Sequence, residues 1–231
     1  MSRVVAIHQP NYLPGLRYFA KMAQADIFVL LDCVAYSKNN WTNRNRIRRL
    51  EGARWLTVPV RTSGNFGQQI KDVKVADTSW QAAHLRALQE AYAGTPFLDE
   101  VMALITARYA QPWDRLAEGN IALIRSVAGQ LNIDTELLLA SELDEVGQGT
   151  RLLCNLAKRL GASTYLSGVG GKKYLDVDLF HAAGIGIAWQ EYVHPTYNQT
   201  GSGFVPDLSV VDLLLNVGRE AGEILRSGME G

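Results

Sequence analysis

Val4–Asp32 reads VVAIHQPNYLPGLRYFAKMAQADIFVLLD. Val4–Ile7 is a short β-branched run, and Asp26–Leu31 carries a second apolar run, IFVLL, closed by Asp32. Between them a polar, proline-bearing cluster gives way at Leu16–Gln24 to helical spacing. Strand, turn, short helix and strand in so short a span make a βαβ unit. Its strands are expected to be parallel and its crossover right-handed.

Working outward, the alternation continues. Thr135–Ala140 reads as a strand, Thr150–Leu160 as a helix stopped at Gly161, and Ser163–Leu166 as a strand. Val177–Ala183 is a short helix and Ile185–Gln190 another strand. Arg54–Val60 and Ile70–Val75 also alternate like strands, around a Gly64–Gly67 turn. From about Ser79 to Leu131 the pattern is helical, with Ser79 and Thr95 as caps and Pro96 and Pro112 as breaks. A polar, aromatic loop at 191–208 precedes an amphipathic C-terminal helix capped by Ser209. The expected architecture is α/β: a mostly parallel, open, Rossmann-like sheet with a helical insertion or lobe at about 79–131. Residues 1–231 are expected to form a single domain.

Composition excludes several classes of function. With 47% apolar and 20% charged residues, the chain is that of a globular protein, not a disordered one. Its 23 basic and 23 acidic residues cancel, which argues against a general nucleic-acid or anionic-membrane binder. Cys33 and Cys154 make neither a disulfide framework nor a four-cysteine zinc site, and the four histidines are scattered, so no metal site is expected. No HExxH, DxD, GxSxG or CxxC pattern occurs. The opening MSRVVAIHQP has no cleavage signal, and IFVLL and LLLA are far shorter than a membrane span. A cytoplasmic, reduced protein without a membrane span is the expectation.

In open parallel sheets ligands bind beyond the carboxyl ends of the strands, near the point where strand order reverses. Three polar motifs fall at such ends: His8 after the first strand, Asp32 after the second, and Ser167–Gly171 after a later one. In His8–Pro14, HQPNYLP, two prolines stiffen a turn in which His8, Gln9, Asn11 and Tyr12 offer donors and acceptors. That suits a substrate-positioning loop with His8 as acid, base or phosphate donor, and equally a structural turn. Asp32 suits a ribose hydroxyl, a metal-bound water or a basic side chain, or caps the next loop. Cys33 becomes a nucleophile only if His8 approaches it.

Lys38–Arg49, KNNWTNRNRIRR, holds Lys38, Arg44 and Arg46 among asparagines that include Asn43 and Asn45, beside Trp41. Arginine forks suit phosphate or carboxylate, amides suit sugar or base edges, and Trp41 suits stacking on a ring. A nucleotide or nucleotide-sugar pocket, a single-stranded nucleic-acid surface and a solvated basic loop all fit. A small anionic ligand ranks first and nucleic acid last. Tyr165–Tyr174, YLSGVGGKKY, places Ser167, Gly168 and Gly170 in a turn able to cradle an anion, yet it is neither a Walker A loop nor GxGxxG. Glu191–Phe204 gathers His194, Tyr197 and Gln199 beside flexible glycines, as a substrate lid or an anchored surface loop does.

Taken together, HQPNYLPGLRYFAKMAQADIFVLLD, YSKNNWTNRNRIR, WLTVPV, TYLSG and HPTYNQ followed by FVPDLSVVDLLLNVG resemble the WbqC-like protein family nearly end to end. Members of that family occur in bacterial surface-polysaccharide (O-antigen) and other biosynthetic gene clusters, often with a second acid where this chain has Cys33. A looser analogy is to nucleotidyltransferase-like folds, although Leu16 follows Gly15 where their motif has a second histidine. The resemblance implies a biosynthetic setting. The polar motifs gathered at the strand ends lead to the expectation of a transferase or ligase acting in that setting on a sugar, amino-acid or phosphorylated intermediate, for example by amine acylation or aminoacylation. His8, Asp32 and Lys38 are then the candidate catalytic groups, with Lys38, Arg44 and Arg46 holding a phosphate or carboxylate. The alternative is a non-catalytic subunit that holds a nucleotide-sugar or a carrier protein for a partner enzyme. No cofactor is named by any motif.

Overall fold

The computed structural model describes residues 2–49 and 51–229. From the N-terminus the elements are β1 (Val4–His8), α1 (Leu16–Ala23), β2 (Ile27–Leu30), β3 (Arg44–Arg48) and β4 (Ala53–Thr57). Three helices follow: α2 (Ser79–Ala91), α3 (Leu98–Tyr109) and α4 (Leu116–Gln130). Then come β5 (Glu136–Leu139), α5 (Gly149–Arg159), β6 (Thr164–Ser167), α6 (Val177–Ala182) and β7 (Gly186–Trp189). The chain closes with α7 (Val210–Val217) and α8 (Ala221–Ser227).

The fold is α/β. Five strands form one parallel sheet in the order β5-β2-β1-β6-β7, in registers such as Val5↔Ile27, Val5↔Tyr165 and Phe28↔Leu137. The chain enters at the middle strand, runs out to one edge, returns beside β1 and runs to the other. Strand order therefore reverses between β1 and β6, the arrangement of a doubly wound sheet, with a crevice where the loops after those two strands part.

Period-two alternation assigns the faces. Val5, Ile7, Ile27, Val29 and Tyr165 share one core with Leu152, Leu156 and Phe180 from α5 and α6. Ala6, Phe28, Leu30 and Leu166 point the other way, into a larger core with α1, α4, α7 and α8. Both faces are covered, so the strands are nearly all apolar. Among the described residues no helix is long and apolar enough to cross a membrane.

Two expectations are corrected. Arg54–Val60 does not pair along its length with Ile70–Val75: only an isolated bridge, Val60↔Val75, joins them, and Ile70–Asp72 is a 3-10 turn. The partner of β4 is the basic segment itself, β3, antiparallel with Arg46 opposite Trp55. Its inward positions are Asn45 and Ile47, both buried. An asparagine on the inward face hid the alternation. The C-terminal helix is also broken, because Gly218 takes φ 56 and the Phe97 ring occupies the place of its missing side chain.

Candidate functional site

The crevice between β1 and β6 opens into a cavity of about 650 Å³, within the range of small-molecule sites. One wall is the loop 9–15. An irregular segment at this depth needs a donor for each carbonyl, and the chain supplies them from distant elements. The His8 Nδ1–H and the Tyr18 hydroxyl both donate to the Gln9 carbonyl at 3.2 Å. The Asn120 amide, fully buried on α4, donates to the carbonyls of Pro10 at 2.8 Å and Thr42 at 2.7 Å. The Asn45 amide donates to Tyr12 at 3.3 Å and Leu13 at 2.6 Å, holding Leu13 at φ 40. The Val210 N–H donates to the Pro14 carbonyl at 2.9 Å.

Asn45→Ala strands two buried carbonyls and releases the left-handed Leu13. Urea unfolding is expected to show a loss of ~2 kcal/mol, with faster amide exchange in residues 11–16. Unchanged stability would mean that the loop stands without its clamp.

The loop leaves one amide unspent. Asn11 is 9% exposed, lines the cavity and has no side-chain hydrogen-bond partner among the described residues. Gly15, Leu16 and Arg17 bring the first turn of α1 to the same space, with no side chain capping it. That end of a helix carries partial positive charge, with the Tyr18 N–H already donated to the Gly15 carbonyl at 3.1 Å and Gly15 bridged to Ser209. One turn further along, Lys21 is 4% exposed, lies over the Phe28 ring, and spends one of its N–H donors on the Ile7 carbonyl at 2.9 Å. Burial drives its pKa down to about 7. The opposite wall is the end of β6 and its glycine turn, where Ser167 Oγ, Leu175 and Trp189 fill the place of a side chain at Gly171. Arg46 closes the rim by donating to the Asp207 carbonyl at 3.0 Å. Lys21, Arg17 and Arg46 face one carboxylate, Asp207, so the cavity suits an anion.

His8 stands edge-on to Tyr18 at 4.8 Å. Burial and then the Lys21 charge push its pKa to about 3. The ring is neutral at physiological pH, and donation from Nδ1 leaves Nε2 as an acceptor. Of the acid, base and phosphate-donor roles expected for His8, this geometry favours the base, with Nε2 as the acceptor. Beneath the loop, Tyr12 hydrogen-bonds to His84 Nδ1 at 2.8 Å and to the Tyr109 hydroxyl, inside a cluster with Trp80 and Trp113. Burial lowers the His84 pKa to about 4.

Both histidines have folded pKa values below the unfolded 6.5. Their contribution to stability is complete above pH 6.5 and is lost as pH falls toward 4, because the unfolded chain binds protons that the folded chain refuses. Unfolding free energy measured from pH 7 to 4.5 is expected to fall, with a slope approaching two protons. His84→Gln should remove about half of that slope, and a flat profile would contradict the burial of both rings.

A family model described as the WbqC-like protein family matches residues 9–224. The chain belongs to this family. A relative from Mycobacterium tuberculosis (strain ATCC 25618 / H37Rv), named uncharacterized protein Rv1507c, is 35% identical over 224 residues, covering 96% of this chain and 97% of its own. No solved structure matches the chain.

In this WbqC-like protein, only some of the residues singled out by sequence meet at the cavity. His8, Gln9, Asn11, Trp41, Asn45, Arg46, Ser167, Gly168 and Gly170 line it. Asp32 does not: it is 3% exposed, and its carboxylate accepts from the N–H and hydroxyl of Ser141 at 3.0 and 2.6 Å, tying the end of β2 to the end of β5. Lys38 is exposed and outside the cavity lining, so the three candidate catalytic groups are not assembled. Tyr12 lies under the loop, and the Asn43 amide is spent on the Val58 carbonyl at 3.0 Å. Arg44 stacks on Trp55, outside the lining. Cys33 is also outside it, and burial with the Asp32 charge raises its thiol pKa, against thiolate formation.

The 191–208 loop is strapped down, as in the anchored-loop alternative, and Asp207 within it reaches the cavity lining. Asp212, fully buried on α7, accepts from Tyr92, Tyr197 and Gln199 at 2.9, 2.6 and 2.6 Å. Gln199 in turn accepts from Arg48, whose guanidinium also donates to the carbonyls of Ser202 and Gly203. His194 donates to the Pro195 carbonyl and accepts from the Asp207 N–H at 3.3 Å. Sequence reasoning missed Lys21, Arg17, Tyr18 and Gln190, which line the cavity. The available signal was a lysine set among Tyr18, Phe19, Ala20 and Met22, on a short helix with little polar surface.

Proposed function

We propose that the protein is a biosynthetic transferase or ligase that holds a small phosphorylated or acidic intermediate in the cavity between β1 and β6. The carrying observation is Lys21, a buried amine with unspent donors on a cavity wall beside the first turn of α1. Membership of the WbqC-like family supports a biosynthetic role in polysaccharide or related pathways. An anion placed against Lys21 stabilises its ammonium form and draws strength from the low-dielectric surroundings. With the site loaded differently, an amine of pKa about 7 is matched to accepting a proton from an attacking amine or hydroxyl near neutrality. The His8 Nε2 acceptor and the Asn11 amide orient the polar groups of that substrate. Two substrates fit the anatomy, one against α1 and one against the Ser167–Gly170 turn.

A thermal-shift screen with pyrophosphate, nucleoside diphosphates, acyl-CoA and amino acids, with and without magnesium, tests this. A ligand at about 100 times its Kd adds roughly 2.7 kcal/mol to stability. Phosphate-bearing compounds are expected to give the shifts, and Lys21→Met to abolish them. Shifts that survive that substitution, or none from any phosphate, would overturn the proposal.

A further inference from the structure

Trp41 and Trp55 are 43% and 45% exposed, which is unusual for indoles in a protein that buries most of its large apolar side chains. They are neighbours: the Arg44 guanidinium carbon lies 4.3 Å over the Trp55 ring, and the Trp55 and Trp41 centroids are 5.3 Å apart with the ring planes tilted by 43°. Trp41 lines the cavity, whereas Trp55 and Arg44 do not. Trp41 thus stands at the cavity mouth with nearly half of its surface exposed. The backbone at Trp41 is tied to the loop, since the Trp41 carbonyl accepts from the Tyr12 N–H at 3.0 Å and the Trp41 backbone N–H donates to the Asn40 side-chain oxygen at 2.8 Å.

From this geometry we infer that the cavity ligand is a nucleoside phosphate, with its base stacked on the open surface of Trp41 and its phosphates toward α1 and Lys21. The inference rests on the anionic-ligand reading above and adds the ring. A planar base finds in Trp41 an exposed aromatic at the mouth of the cavity. Stacking on an aromatic side chain tolerates any base, because every base has a π-face. The unpaired Asn11 amide, 9% exposed on the same cavity, supplies a donor and an acceptor between the two ends. The cavity volume of about 650 Å³ suits a ligand of nucleotide size.

The experiment is calorimetric titration of the full chain with pyrophosphate, ribose 5-phosphate, UDP and ADP, in wild type, Trp41→Ala, Trp41→Phe and Lys21→Met. UDP and ADP are expected to bind about tenfold more tightly than pyrophosphate, a difference within the range of one stacked base, and to quench tryptophan fluorescence. Trp41→Ala should erase that advantage without changing pyrophosphate affinity, and Trp41→Phe should restore most of it. Circular dichroism of the Trp41 variants guards against misfolding as the cause. If UDP and ADP bind no better than pyrophosphate, or keep their advantage in Trp41→Ala, the base platform is wrong while the anion site stands. If the nucleotides bind through Trp41 but ignore Lys21→Met, the anion end fails and the stacking survives. Absence of binding by every compound overturns both.

Discussion

Lys21→Met is expected to abolish binding of phosphate-bearing ligands while making the protein more stable. The opposition follows from where the amine sits. Lys21 is 4% exposed with a pKa of about 7, against 10.5 for a free lysine. Forcing charge into that site is unfavourable by an amount on the order of a few kcal/mol, at 1.36 kcal/mol per pKa unit. Methionine keeps the length of the side chain without the charge, at the cost of one hydrogen bond to the Ile7 carbonyl, ~1 kcal/mol. The sign with pH is defined. Because the folded pKa lies below the unfolded one, wild-type stability rises as pH climbs from about 7 toward 10.5. The advantage of Lys21→Met should thus be largest at or below pH 7 and shrink above it. Urea unfolding of both proteins at pH 6.5, 8 and 9.5 measures this. A destabilised variant with no such trend would mean that Lys21 serves packing, and the case for an anion site would lose its support. Residues that cost stability and stay are expected where binding is done.

Asp212→Ala is expected to cause the largest loss of stability of any single substitution described here. It removes the one acceptor shared by Tyr92, Tyr197 and Gln199, and leaves Arg48, itself 1% exposed, without the charge that Gln199 relays to it. Breaking a buried charged network in this way costs ~3–5 kcal/mol, about 6–20 °C in Tm for a chain of this size. Asp212→Asn keeps an acceptor but not the charge and should fall between. The strap over 199–207 loosens with it, so proteolysis near Thr200–Gly203 should accelerate before global unfolding. A Tm change of only a degree or two would show that the Arg48–Gln199–Asp212 chain does not hold the loop.

These two sites mark how far local pattern carries. The alternation of Val5, Ile7, Ile27 and Val29 with Ala6, Phe28 and Leu30 is local, because a strand's side chains point to opposite faces whatever lies beyond them. The α/β class, the strands of the parallel sheet and the placing of His8 and Ser167 at strand ends were legible for that reason. The density of polar groups in HQPNYLP also marked a special loop, and His8, Gln9 and Asn11 do face the cavity.

Which polar group serves a ligand and which serves the backbone was not legible. Asn11, Asn43 and Asn45 carry the same amide, yet one is unpaired on the cavity, one is spent on Val58 and one clamps Tyr12 and Leu13. Asp32 sits at a suggestive strand end, yet its carboxylate is held by Ser141, far along the chain. Partners on other segments decide these outcomes, from 15 residues away for Asn43 to 109 for Asp32 with Ser141. The same holds for Lys21, whose altered proton affinity arises from the depth to which β1, β2 and the surrounding core bury it. Periodicity is a property of the segment. Desolvation and hydrogen-bond satisfaction are properties of the assembled chain, so the sequence determined the sheet and the loop, and only the tertiary structure decided which of their polar groups were left to bind.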